Sequence, residues 1–210
     1  MRYPVRMGVG TLRNVSRHLE RTVVKLSNIY AQDRPAISFE LFPPKTEKGL
    51  ENLFENLDEL VTCKPAFITC TYGAGGSTQS KTLEVLDGVM ARYEAIPVAS
   101  HLTCVGSTVD ELRAYIEEAR RRGVQYIVAL RGDPPKGEDT FVAPEGGFAY
   151  ANELVTMINA EYPDMGILVA GYPEVHQEAP DGPTDLANLK RKVDAGADVV
   201  VTQLFYDNDD

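Results

Sequence analysis

The sequence predicts an α/β fold, a (β/α)8 TIM barrel, of which this chain carries six strands. Three observations predict it. Six short apolar runs, starting at Ile37, Ala66, Pro97, Tyr126, Ile167 and Asp198, recur at about the 30-residue spacing of a βα unit. Helical patterns lie between them. Polar residues gather where the runs end, and barrel enzymes build their sites at the C-terminal ends of their strands. Runs that are apolar on both faces imply a parallel sheet covered by helices. An open doubly wound sheet shares that pattern; the polar strand ends favour the barrel. A whole barrel needs eight strands. The expectation is therefore a helical extension over residues 1–36 and a barrel domain over 37–210, truncated after strand six, its last two βα units absent.

The extension contains the pattern "NVSRHLERTVVKLSNIYAQ", read as one helix. Strand one is "ISFEL" from Ile37. Leu50, Leu53, Leu57 and Leu60 then fall at helical spacing in "GLENLFENLDELVTC". Strand two is "AFITCTY", followed by the glycine-rich "GAGGST"; strand three is "PVASHLTC". The next helix opens at Thr108 as N-cap, with Glu111 completing a capping box, and closes on Gly123. Strand four, "YIVALRG", runs into the longest irregular stretch, "RGDPPKGEDTFVAPEGGFAY", a loop of the length that often covers or binds at an active end. Strand five is "ILVAGYP". A last helix, "TDLANLKRKVDAG", opens at Thr184, shows an apolar face of Leu186, Leu189 and Val193, and closes on Gly196. Strand six is "DVVVTQLFY".

Composition narrows the function classes. Hydrophobic residues at 43% suffice for a real core. Lys and Arg number 21 against 31 Asp and Glu, a net charge of -10, which argues against a general nucleic-acid surface. No apolar run reaches the ~18 residues that mark a membrane span, and "MRYPVRMGVG" has no apolar stretch suited to a secretion signal. Cys63, Cys70 and Cys104 are odd in number, lack CxxC spacing and sit in or beside apolar runs. They read as reduced core thiols of a cytoplasmic protein, which makes the "NVS" acceptor pattern at Asn14 a coincidence.

The strand ends supply the candidate residues. They are Glu40 from strand one, Thr71 and Tyr72 from two, and His101 from three. Strand four ends in Arg131 and Asp133, five in Tyr172, Glu174 and His176, and six in Thr202 and Gln203. Glu40 lies between Phe39 and Leu41. Apolar neighbours would desolvate its carboxyl and raise its pKa, which suits a general acid; the alternative is an exposed strand-end carboxylate. His101 and His176 lack HxxxH spacing and an accompanying ligand cluster, so hydrogen bonding is favoured over metal binding. "YGAGGST" is similar to a phosphate-cradling turn but is neither GxGxxG nor GxxxxGK[ST]. Asp185, Asn188 and Lys192 form one polar stripe beside the apolar face of the last helix, either a binding stripe or a solvated face. With neither a metal set nor a nucleophile pattern, an organic cofactor is the natural source of reactivity.

Seven segments in order, "FELFPPK", "TYGAGG", "HLTC", "ALRGDPP", "YPEVHQEA", "LKRKVDAGAD" and "TQLFYD", resemble the methylenetetrahydrofolate reductases. The resemblance runs from about Ile37 to Asp207. It implies a flavoprotein barrel with tightly bound FAD that reduces 5,10-methylenetetrahydrofolate to 5-methyltetrahydrofolate, using NADH or NADPH, in the one-carbon chemistry that feeds methionine synthesis. It also implies a cytoplasmic enzyme with small-molecule partners, no nucleic acid or membrane, and a homo-oligomer at full length. By the same resemblance Glu40 is the acid that assists ring opening, and Asp133 the charge beside flavin and folate. Gln203 contacts folate or nicotinamide. Thr71, Tyr72, Ala74, His101, Arg131 and Gly132 match flavin-contacting positions, as do Tyr150, Ala151, Tyr172, His176 and Ala179. So do Asp185, Asn188, Arg191 and Lys192, which makes the helical stripe a cofactor grip. The competing expectations are a truncated, non-catalytic flavin-binding or interaction protein, and a metal-dependent aldolase-type barrel.

Overall fold

The computed structural model describes residues 24–72, 79–134, 137 and 140–209. Its strands are β1 (Ser38–Leu41), β2 (Phe67–Cys70), β3 (Val98–Thr103), β4 (Tyr126–Leu130), β5 (Gly166–Gly171) and β6 (Val199–Thr202). They form one parallel sheet in sequential order, β1 to β6. The helices are α1 (Leu26–Tyr30), α2 (Glu47–Leu60), α3 (Gln79–Arg92), α4 (Val109–Arg122), α5 (Ala151–Glu161) and α6 (Gly182–Asp194). One helix from α2 to α6 follows each of the first five strands, as the repeat predicts. The result is six strands of a (β/α)8 barrel, open between β1 and β6 among the described residues.

Alternation along each strand sorts residues into two clusters. Ile68, Leu102, Ile127 and Val169 point outward and pack with Leu57 of α2, Leu86 of α3, Ile116 of α4 and Ile158 of α5. Phe67, Ala99, Tyr126, Val128 and Leu168 point inward, where they meet Leu26 and Ile29 of α1. α1 therefore plugs the end of the lumen where the strands begin. Tyr126 fixes it there by donating a 2.5 Å hydrogen bond from its hydroxyl to the carbonyl of Val24. Of the helix expected before strand one, the described residues show Leu26–Tyr30 as helical; its earlier part lies outside the described residues.

α4 starts at Thr108 with the capping box to Glu111, and Gly123 adopts φ +100 at its end, as the sequence predicts. α6 differs. Its N-cap is Asp181, whose carboxylate accepts from the Thr184 amide at 2.8 Å. Gly182 and Pro183 form the first turn, because proline needs no amide partner there. The expected stop holds: Gly196 follows with φ +118. The leucine stripe of α2 is only partly buried. Phe54 and Leu57 are buried while Leu50 and Leu60 lie at the exposed rim, because α2 covers the edge strand β1. α6, beside the opposite edge, buries no residue. Cys70 and Cys104 are core thiols, but Cys63 is exposed in the turn after α2, a correction to the expectation for all three.

Candidate functional site

The inward face forms an open cleft of about 1680 Å³, roomier than the ~300–1,000 Å³ of drug-sized ligand pockets. It gathers Glu40, Tyr72, His101, Arg131, Gly132 and Asp133. Tyr172, His176 and Gln203 complete that set on the β5 and β6 side. With Glu174 and Thr202 also lining it, ten of the eleven strand-end candidates, all but Thr71, share one wall or rim, and Gly132 joins them.

Glu40 is an inward residue of β1, as is Ser38, and lies beside Thr69 of β2. Its carboxylate Oε2 lies 3.3 Å from Nε2 of His101 on β3. That contact holds the Glu40 carboxyl below its ordinary range, against an upward push from burial. The expected raised pKa is therefore corrected. Phe39 and Leu41 are neighbours in sequence only: they point outward to the helix layer, and Phe42 is exposed. The Glu40 side chain is itself 46% exposed to the cleft.

Arg131 leaves β4 and makes a two-pronged ion pair with Glu178, at 2.6 and 2.5 Å. The pair holds the Glu178 carboxyl below its ordinary range, and the guanidinium also lies 5.0 Å from the Phe141 ring centre. Gly132 has φ +88, and a Cβ there would come within 2.9 Å of Val105 and 3.1 Å of Thr103. Asp133 is exposed at the rim. Its charge adds to the burial that pushes up the Tyr172 hydroxyl. Tyr172 stacks edge-on against His176 at 4.5 Å. The turn between them carries Val175 at φ +66, a strained value for a β-branched residue. Gln203 is anchored by its backbone N–H, which donates to the carbonyl of Gly171 at 2.8 Å.

The other expected residues lie around the cleft rather than on its wall. Thr71 bonds through its backbone to Leu41 and Thr82. Tyr150 caps α5 and is exposed, with Ala151 beginning the helix. The Ala179 amide closes a turn onto His176. The α6 stripe divides. Lys192 turns toward the sheet, donates to the Ala170 carbonyl at 2.6 Å and lies 5.8 Å from the Tyr172 ring centre. Burial lowers its pKa, opposed by the charge of Asp185. Asn188 instead accepts from Arg191 on the exposed side. Ala74 lies outside the described residues.

Several wall residues with polar groups escape the strand-end reading. Glu178 is one. Thr69 and Thr103 are others, and each has a buried hydroxyl with no hydrogen-bond partner among the described residues. Counting by twos from Thr71 and His101 finds both threonines on the inward set.

Comparison with known proteins gives these features a context. The family model described as methylenetetrahydrofolate reductase matches residues 25–210. A maize protein named methylenetetrahydrofolate reductase (NADH) 1 is 48% identical over 199 residues, covering 90% of this chain and 33% of its own length. The 5,10-methylenetetrahydrofolate reductase of Escherichia coli K12 is 42% identical over 188 residues, covering 90% of this chain and 61% of its own. The chain thus spans less than two thirds of either relative. Among solved structures, a 2,3-dimethylmalate lyase aligns with TM-score 0.57 at 9% identity over 87% of this chain and 62% of that one. An aldolase, QR15, aligns with TM-score 0.54 at 12% identity over 83% and 71%. These likenesses concern the fold alone. The sequence matches decide the lineage: the chain belongs to the methylenetetrahydrofolate reductase family.

Proposed function

We propose that this chain is the flavin-bearing part of an enzyme that reduces 5,10-methylenetetrahydrofolate to 5-methyltetrahydrofolate, with NADH or NADPH as donor. One observation carries the reading. In a chain of this family, Glu40 and Asp133 line one cleft at the C-terminal ends of parallel strands.

The residues fit FAD. The backbone at Gly132 runs so close to Thr103 and Val105 that a side chain would fill the gap. The orphaned hydroxyls of Thr69 and Thr103 offer hydrogen bonds along the wall. Arg131 and Lys192 bring cationic groups to a cofactor that carries a pyrophosphate. When bound, FAD would supply the two-electron reduction. The chain's own residues orient, protonate and tune charge. Glu40 delivers the proton that opens the substrate's five-membered ring. Asp133 stabilises the cation that results, and Gln203 holds the ring system from the β6 side. The described residues of the extension, 24–36, and those of the barrel segment act as one domain with α1 as its floor. The reading places the enzyme in the cytoplasm, as a homo-oligomer at full length. The buried reduced thiols Cys70 and Cys104 support that compartment.

The test is direct. The purified chain should be yellow, and anaerobic NADH or NADPH should bleach it. In the full-length protein, Glu40→Gln should abolish folate reduction yet leave bleaching by the nicotinamide largely intact; normal folate reduction would remove Glu40 from the acid role. A second reading, a non-catalytic flavin-binding or interaction protein, draws on the exposed edge at β6, where Val201 and Leu204 are 44% and 68% exposed. It predicts a chain that binds flavin or another protein but is never bleached.

A further inference from the structure

Glu40 is poorly placed to act as an acid alone. A carboxyl that donates a proton near neutral pH needs its charged form disfavoured, and His101 does the reverse. The same contact supplies a remedy. His101 Nε2 lies 3.3 Å from Glu40 Oε2, short of full hydrogen-bond geometry, and has no other partner among the described residues. The imidazole is 12% exposed and the carboxyl 46%, so the nitrogen sits in the wall while the carboxyl meets the open cleft. Strand register sets this arrangement: Glu40 aligns with Thr69, Thr69 with Ala99, and His101 is the next inward residue beyond Ala99. Both side chains therefore lean over Thr69.

We propose that the proton donor in this cleft is the Glu40–His101 pair, with Glu40 touching the substrate and His101 as the positioning residue that returns its proton. This rests on the reductase reading above. Glu40 gives its proton to one of the two nitrogens that share the bridging carbon, as that C–N bond breaks. The bonding electrons stay on the protonated nitrogen. The lone pair of the second nitrogen forms the C=N bond of an iminium cation. Oε2 then takes the proton from Nε2 of protonated His101, leaving neutral imidazole; solvent reaches the pair at the exposed Glu40 carboxyl, which passes a proton back to the buried Nε2. No electrons are gained or lost in this step.

The other groups around Glu40 leave His101 as the one that sets its proton affinity. On β2, the Cys70 thiol stays protonated, pushed up to about 12 by burial and then by the Glu40 charge. Tyr72 lies edge-on to Tyr115 in the wall. Further along the cleft, Arg131 is engaged by Glu178, with Asp133 adding to that field.

The experiment is a carboxyl 13C titration of the chain labelled at glutamate, without cofactor or substrate. Glu40→Gln assigns the Glu40 signal. The expected result is a Glu40 midpoint below the ordinary glutamate range that moves upward in His101→Gln. A midpoint unchanged by that substitution overturns the pair. Should His101→Gln fail to fold, the ring 15N signals of His101 carry the test. They differ between the parent chain and Glu40→Gln if the proton is shared, and their titrations coincide if it is not. None of these readouts needs flavin, so a colourless chain that NADH cannot bleach sinks the reductase reading without moving the titration.

Discussion

Gly132 concentrates the demands of the site in one residue. Its φ of +88 is unfavourable for any residue with a side chain, and Val105 and Thr103 leave no room for a Cβ. Gly132→Ala should therefore destabilise the chain by about 1–3 kcal/mol in urea unfolding, more than an Ala substitution at the exposed Asn188. Nearby, the Arg131–Glu178 pair makes a pH-dependent contribution. The guanidinium depresses the folded-state pKa of Glu178. Its stabilisation is thus present above the ordinary carboxylate pKa and fades as pH falls through the lower folded value. With Glu178 half exposed, the effect should stay below about 1 kcal/mol. Melting temperatures of the parent chain and Glu178→Gln should differ at pH 7 and converge in acid. At this scale the sequence reveals residue type and strand end but not partner. Glu40 and His101 are legible as strand-end groups, yet their contact depends on two strands lying beside β2. The apolar neighbours that suggest desolvation in the sequence point to the far side of the sheet.

Among the elements, α1 is short and its anchoring is dense. Leu26 is 1% exposed among Tyr126, Leu168 and Phe67. Leu26→Ala should cost about 2–5 kcal/mol, and Tyr126→Phe, which removes the hydrogen bond to Val24, about 1 kcal/mol, both read from denaturant unfolding. Thr108→Ala at the α4 cap should cost about 1 kcal/mol by the same measurement. Element order was legible because each βα unit carries its own punctuation: the capping box and Gly123 at α4, Gly196 after α6. The start of α6 was misplaced because "TDL" carries a capping residue too. The carboxylate of Asp181, ahead of Gly182 and Pro183, outcompetes the Thr184 hydroxyl. The exposure of Cys63 was hidden because the leucine pattern runs on to Leu60, while the chain leaves the helix immediately after it.

For the molecule as a whole, the sheet's two outer strands each pair on one side among the described residues. Apolar side chains collect near β6: Leu186 at 67% exposed, Leu204 at 68% and Tyr206 at 87%. Such an edge invites pairing with another chain. Sedimentation velocity should show this chain associating as concentration rises, and Leu186→Lys with Leu204→Lys should shift it toward monomer. The half-barrel was legible from the repeat spacing, since six similar units in sequence imply six adjacent strands.

The floor formed by α1 also bears on the order in which the molecule is assembled. Every strand pairs with the one made just before it, so the sheet can grow strand by strand as the chain leaves the ribosome. α1 cannot. Its side chains rest on Phe67, Ala99, Tyr126 and Leu168, and the last of these belongs to β5. α1, the first helix among the described residues, has its full seat only once the fifth strand exists, so Leu26–Tyr30 is a closing piece of the interior.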